Sequence, residues 1–298
     1  MTCAVCSSED LRPFLTDLRD YQFGTDRMTE IRQCGVCGTV QQYPMPTQDE
    51  ALAFYPEEYA HYHPDTSQLR QFLISVYFRN IVGLLGRLGC GPGSRLLDIG
   101  AGCGEKAAHL RRALGADVTC VEPNPKGAAA ARDVFGLTTI NGFFPNEDIP
   151  PGSFDFVYIN HVIEHVPDPI ALLNDIHEVL VPGGWIFGET ENLDSLSYRV
   201  FGRYWSLLHT PYHLFFFNDE TLPKVFERSS FSRPEMQHDV DPSAWVLSTI
   251  NYLRRNQKHL RAAQSIPFYK LFLVAAVPIA QLERPKGPIL RFWAQKKT

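Results

Sequence analysis

The chain lacks an excess of positive charge. Its 28 lysines and arginines face 33 acidic residues, a net of -5. That balance offers no general surface for neutralising phosphates, so nucleic acid is not an expected partner. Long apolar runs are missing too. The most apolar stretch, Leu271 to Ala280, is too short to span a bilayer and contains Pro278. No transmembrane segment is therefore expected. The stretch reads first as a buried helix and second as a lipid-facing surface. Met1 to Asp10 are polar, so no secretory leader is expected. Seven cysteines in 298 residues are too few for a disulfide scaffold. A cytoplasmic protein with reduced thiols follows. Repeats and low-complexity tracts are also absent. What is present, 44% hydrophobic and 20% charged residues, builds one large domain or a medium domain with an appendage.

Four sections follow one another. Residues 1–45 are marked by cysteines. Residues 46–93 are rich in tyrosine and histidine (Phe54, Tyr55, Tyr59, His61, Tyr62, His63) and end in a helical cap. Leu69, Phe72, Leu73, Val76, Leu84 and Leu88 share one face of that helix. Residues 94–190 alternate strand and helix: strands at Arg95–Ile99, Asp117–Glu122, Leu137–Ile140, Phe154–Ile159 and Trp185–Thr190, with helices between them. This alternation predicts an α/β fold, a doubly wound and mostly parallel sheet with its ligand at the carboxyl ends of the strands. Residues 191–298 complete the sheet and carry insertions that cover the substrate.

The informative run is Leu97-Asp98-Ile99-Gly100-Ala101-Gly102-Cys103-Gly104-Glu105, a strand that ends in a glycine loop and opens a helix. Glycines suit a sharp turn that a ligand approaches closely. Glu122 ends the next strand, where a carboxylate accepts hydrogen bonds from a ribose diol. A dinucleotide fingerprint needs a third glycine where Glu105 stands, and an acid there opposes a diphosphate at the helix start. Both facts favour S-adenosylmethionine over a nicotinamide cofactor. A nicotinamide-dependent oxidoreductase stays as the alternative, as does a zinc-dependent interaction module on an inactive scaffold.

With Val121-Glu122-Pro123-Asn124, Phe154-Asp155-Phe156-Val157, His161-Val162-Ile163-Glu164-His165-Val166-Pro167-Asp168-Pro169 and Leu180-Val181-Pro182-Gly183-Gly184, these motifs resemble those of class I S-adenosylmethionine-dependent methyltransferases. The resemblance covers residues 94–190 and implies a seven-stranded sheet. It implies that Asp98, Gly100, Ala101, Gly102 and Gly104 flank the methionine end of the cofactor. Glu122 and Pro123 lie at the ribose, Phe143 near the adenine, and Asn160 and His161 beside the methionine.

Cys3-x-x-Cys6 and Cys34-x-x-Cys37 form two pairs that suit a closed, structural zinc site. Together with Tyr43-Pro44-Met45-Pro46-Thr47 and Tyr55-Pro56-Glu57-Glu58-Tyr59, this front end resembles the zinc-binding leader of some bacterial sugar and natural-product methyltransferases. The expected reaction is methyl transfer to oxygen or nitrogen, less readily carbon, of a small molecule from a sugar or secondary-metabolite pathway. His161, His165 and His213 are the candidate catalytic bases, and His209 lies nearby. The HExxH order of a metalloprotease is absent. The aromatic cluster Tyr204, Trp205, Tyr212, Phe215, Phe216 and Phe217 reads as core before substrate pocket. The oligomeric state is left open.

Overall fold

The computed structural model describes residues 1–21, 23–25, 27–54, 64–256 and 269–297. Tyr55, Tyr59, His61, Tyr62 and His63, with the Tyr55-to-Tyr59 motif, lie outside the described residues. The main sheet has seven strands: β4 (Arg95–Ile99), β5 (Asp117–Glu122), β6 (Thr138–Asn141), β7 (Phe154–Asn160), β8 (Leu180–Glu191), β10 (Glu235–Asp239) and β11 (Ile289–Gln295). Their order is β10-β11-β8-β7-β4-β5-β6. Pairings from β6 to β8 are parallel, and β11 runs antiparallel to both neighbours. The expected mostly parallel, seven-stranded sheet is the one observed.

Alternation along the strands explains the two layers of helices. Leu96, Val118, Cys120, Phe156, Tyr158 and Phe187 point to one face. There they pack on α2 (Gln68–Arg87), α3 (Glu105–Leu114) and α4 (Pro125–Asp133). Leu97, Ile99, Val121, Val157, Ile159 and Ile186 point to the other, against α5 (Pro169–Val179) and, after the short α6 (Leu196–Phe201) in the chain, α7 (Thr221–Glu227). Adjacent residues of a strand face opposite ways, so strands covered on both faces read as continuous apolar runs. Strand order reverses between β4 and β7, which opens a crevice at their carboxyl ends. The turn at Val181–Gly184 lies within β8 as an irregularity: Phe154 pairs with Leu180 but Phe156 with Trp185, and Gly183 has φ +79°.

The cysteine-marked leader forms a second sheet. Strands β1 (Leu11–Arg19), β2 (Met28–Cys34) and β3 (Val40–Tyr43) form an antiparallel meander. Strand β9 (Phe215–Phe216), from far along the chain, adds to its edge. Cys3, Val5, Cys34 and Cys37 join the same core as Leu214, Phe217, Leu222 and Val225. The short α1 (Gln48–Leu52) follows, closed by a capping box between Thr47 and Glu50. In the aromatic cluster, Trp205, Tyr212 and Phe215 to Phe217 are buried, the core reading of that segment.

Two readings of helices need correction. In α2 the buried side chains are Ile74, Phe78, Ile81, Leu84 and Leu85. Leu69, Phe72, Leu73 and Val76, expected on the buried face, are exposed. Both stripes are apolar, and contact with α3 selects between them: Phe78 and Ile81 share a cluster with Ala107 and Leu110. The apolar stretch near the end forms α9 (Tyr269–Leu282), which packs on α8 (Pro242–Leu253). It is not a buried helix. Only Ala276 and Ala280 are buried along it from Phe272 onward.

Gly104 joins the layers most closely. It precedes α3 with φ +84°, and a Cβ there would lie 2.7 Å from Ala131 Cβ and 2.9 Å from Ala131 Cα. The backbone of α4 cannot yield cheaply. Gly104→Ala is expected to cost about 2 to 3 kcal/mol from left-handed strain and overpacking. Urea denaturation measures it, and a change below about 0.5 kcal/mol would mean the helices separate freely.

Candidate active site

The crevice is built from the ends of β4, β5 and β7. Gly100, Gly102 and Gly104 all take positive φ after β4. A Cβ on Gly100 would come within 2.8 Å of Val162 Cγ2, so the glycine loop abuts the segment that follows β7. Glu122 is buried, and its two oxygens accept from Gly102 N at 2.7 Å and Asn124 N at 2.8 Å. Burial raises its pKa above the usual carboxylate range, against those two amides. Each oxygen keeps a further lone pair for a ligand hydroxyl. Pro123 follows in the turn before α4, and Phe143 stands exposed in the loop after β6.

Beneath the glycine loop lies a charged floor. Burial pushes the Asp98 carboxyl up to about 7, with Lys106 opposing and Glu122 adding to the rise. With the Asn160 amide assigned the orientation that satisfies both its ends, its nitrogen donates to Glu189 Oε2 at 2.9 Å and its oxygen accepts from Lys106 Nζ. Glu189 Oε1 accepts from Arg291 Nη2 at 2.8 Å, and the same nitrogen donates to Asp239 Oδ2 at 2.6 Å. Tyr77 of α2 donates to Glu189 Oε2 at 3.3 Å. Cap helix, glycine-loop helix and sheet edge thus share one buried network, and such networks hold their members in one geometry when all are satisfied.

The histidines converge beside it. His161 takes φ +54°, a left-handed conformation uncommon for a residue with a Cβ. Its Nδ1 lies 2.9 Å from Glu191 Oε1 and 3.1 Å from Glu164 Oε1. Burial opposes its charge, yet Glu191 and Glu164 raise its pKa well above 6.5 and keep it an imidazolium. His165 differs. Its Nδ1 lies 2.9 Å from the Tyr212 carbonyl oxygen, which fixes a proton on that nitrogen and leaves Nε2 as the acceptor. Burial holds its pKa below 6.5 against the pull of Glu164. His213 stacks edge-on against His165 at 4.6 Å between ring centres. Its Nδ1 lies 3.0 Å from Leu207 O, and its side chain is only 4% exposed. It is thus packed against His165 and closed off from solvent. The ligand atoms of Glu164, His165 and His213 group within 4.8 Å of one another, as do those of His161, Glu164 and Glu191, where the His161 imidazolium itself stands as the cation between the two carboxylates.

Residues 69–232 match the family of the methyltransferase domain, more than half of the chain. The chain belongs to that family. Among curated proteins, this methyltransferase-domain chain is 35% identical over 115 residues to a ubiquinone biosynthesis O-methyltransferase of Xanthomonas campestris, covering 37% of this chain and 48% of the relative. The ubiquinone biosynthesis O-methyltransferase of Cereibacter sphaeroides is 36% identical over 126 residues, 40% of this chain and 51% of the relative. The chain spans about half the length of the curated relatives it matches. In fold it resembles Haemonchus contortus phosphoethanolamine N-methyltransferase 2, solved with S-adenosyl-L-methionine: TM-score 0.55, 19% identity, covering 87% of this chain and 62% of that one. A chain from the complex of the Haloferax volcanii Trm112 methyltransferase activator with a methyltransferase gives TM-score 0.53 and 18% identity, covering 78% of this chain and 95% of that one.

The methyltransferase domain also gives Glu105 a place. Its carboxylate, at the start of α3, accepts from Asp65 N at 2.6 Å and Arg70 Nε at 2.9 Å. The acid that argues against a diphosphate thus ties the cap to the glycine loop. Sequence reasoning missed Glu189, Glu191 and Arg291. The signal was present in Glu189-Thr190-Glu191, two carboxylates at the ligand end of an otherwise apolar strand.

In front of the methyltransferase domain, the four leader sulfurs lie within 4.8 Å of one another. Cys3 Sγ is 3.6 Å from Cys37 Sγ, and Cys6 Sγ is 3.5 Å from Cys34 Sγ. Tetrahedral zinc with bonds of about 2.3 Å requires sulfurs about 3.8 Å apart. Amide groups of Cys37 and Val36 outweigh burial at Cys34 and bring its pKa down to about 7, while burial raises the Cys3 and Cys6 thiols. Four clustered sulfurs at this spacing fit a structural zinc ion.

Proposed function

We propose that this chain transfers a methyl group from S-adenosylmethionine to a hydroxyl oxygen of a small molecule, of the kind sugar and secondary-metabolite pathways carry. S-adenosylmethionine, when bound, supplies a methyl on an activated sulfonium. The crevice fits it: three glycines at positive φ admit close approach, and Glu122 is fixed by two amides with lone pairs left for the ribose. Glu105 stands where a dinucleotide would bring its phosphates, against the oxidoreductase alternative.

The observation that carries an oxygen acceptor is His165. A sulfonium needs only an aligned nucleophile, but a hydroxyl also needs a base. His165 is held neutral with Nδ1 directed to Tyr212, the tautomer that takes a proton on Nε2. The charged His161 balances Glu164 and Glu191 and holds the segment after β7 against β8, where its N–H donates to Glu189 O at 2.9 Å. His213 packs against His165. The O-methyltransferase names of the relatives agree with this acceptor. The unfused thiols suit a reducing cytoplasm.

Calorimetric titration tests the cofactor. The wild type is expected to bind S-adenosylmethionine at micromolar concentration, and Glu122→Ala to bind about 10- to 100-fold more weakly, the worth of a charge-assisted hydrogen bond pair. No heat at millimolar cofactor would overturn the proposal. With labelled cofactor, product from hydroxyl compounds supports it, and product from amines alone transfers the reading to nitrogen.

A further inference from the structure

We infer that the α8–α9 face docks on an anionic lipid surface. Charge along the chain is uneven. Tyr252 to Thr298 carries ten lysines and arginines against one acid, Glu283, while the residues before it carry 18 against 32. Arg291 is paired inside with Glu189 and Asp239, and Lys296 is bonded to the His177 and Leu180 carbonyls, so the charge beside α9 rests on Arg284 and Lys286. In this basic stretch α9 turns its small residues, Ala276 and Ala280, inward. Its large ones face out: Phe272, Val274, Ile279 and Leu282 are exposed, Val274 at 69% and Leu282 at 78%. Leu253, at the end of α8, is exposed at 68%. Arg284 and Lys286 stand exposed in the turn that follows.

A soluble surface helix hides its apolar stripe and shows water a polar one, and α9 does the reverse. Fourteen residues make a helix of about 21 Å, short of the roughly 30 Å hydrocarbon core, and no helix among the described residues is long and apolar enough to cross a membrane. It lies along the surface instead. Exposed apolar side chains beside basic ones are the chemistry that binds acyl chains and acidic headgroups together. A second copy packed on this face would bring the exposed Arg284 and Lys286 toward their own counterparts, which like charge opposes. The face is firmly mounted: Glu283 Oε1 accepts from Ser197 N at 2.8 Å, and Glu283 Oε2 from Trp245 Nε1 at 2.6 Å.

Flotation of the full chain with vesicles tests this. The chain is expected to float with phosphatidylcholine vesicles that contain phosphatidylglycerol, and roughly tenfold less with phosphatidylcholine alone or in high salt. The double substitution Val274→Asp, Leu282→Asp is expected to cut binding at least about tenfold with an unchanged unfolding midpoint. Arg284→Glu with Lys286→Glu leaves the helix untouched and checks the charged half; it too should release the chain. Absence of flotation with the anionic vesicles, or flotation of both variants at wild-type levels, overturns the inference. A dimer in sedimentation that the aspartates dissociate, without vesicle binding, overturns it in favour of a second copy.

Discussion

Cys34→Ser is expected to empty the leader of zinc and to lower the unfolding midpoint by roughly 5 to 10 °C. Elemental analysis of wild-type protein should find about one zinc per chain, the occupancy of one closed four-sulfur site. Serine keeps the shape of cysteine and removes the thiolate. If the four cysteines were unrelated thiols, the exchange would cost about 1 kcal/mol, the price of one altered buried polar group. With a metal the loss is larger, because three strands depend on one knot. Cys34 ends β2 and Cys37 lies in the turn before β3, so an ion held by the four sulfurs would tie the β2–β3 connection to the amino-terminal turn at Cys3 and Cys6. The effect also reaches the crevice. Lys224 of α7 donates to Cys37 O at 2.7 Å, and β3 pairs with β9 just after His213. Cofactor affinity should survive, since the glycine loop is held by β5, through Gly100 N to Val121 O at 2.8 Å, while acceptor turnover should fall. Wild-type protein purified without zinc in non-chelating buffer would refute the site.

The cofactor half of the site was legible because its residues are neighbours in sequence. Leu96 to Glu105 carries its strand, its loop and its helix start in ten positions, and each is a local consequence of backbone freedom or apolar patterning. Glu122 was legible for the same reason, as an acid at the end of an apolar strand. The floor was not. Arg291, Glu189 and Asp239 meet from strands far apart in the chain, and only the order β10-β11-β8 brings them together. Periodicity misjudged α2 because the helix has two apolar stripes, and the stripe that is buried is settled by α3. For α9 composition misled: apolar residues imply burial only where a partner surface exists, and from Phe272 onward the helix buries two alanines, Ala276 and Ala280.

His165→Ala is expected to lower turnover by about 10²- to 10⁴-fold, the usual worth of a positioned general base. Affinity for S-adenosylmethionine should stay within a few-fold of wild type, because Glu122 and the glycine loop are untouched. The pH profile separates a base from a structural prop. In the wild type, burial holds His165 below 6.5 despite Glu164, so the imidazole is neutral at pH 7. Activity should hold down to pH 6.5 and fall only below it, as pH drops through the lowered pKa of His165, since the protonated ring cannot accept the acceptor's proton. The alanine variant should lose this acidic limb along with its rate. His161→Ala makes a contrasting case. Its imidazolium is held by Glu191 and Glu164 and cannot act as a base near neutrality; its loss leaves two buried carboxylates 0% and 7% exposed in side chain without their cation. That variant should lose stability before it loses a titrating limb. If His165→Ala slows turnover by less than tenfold, or keeps the acidic limb, the proton leaves by another route and the hydroxyl acceptor loses the observation that carries it.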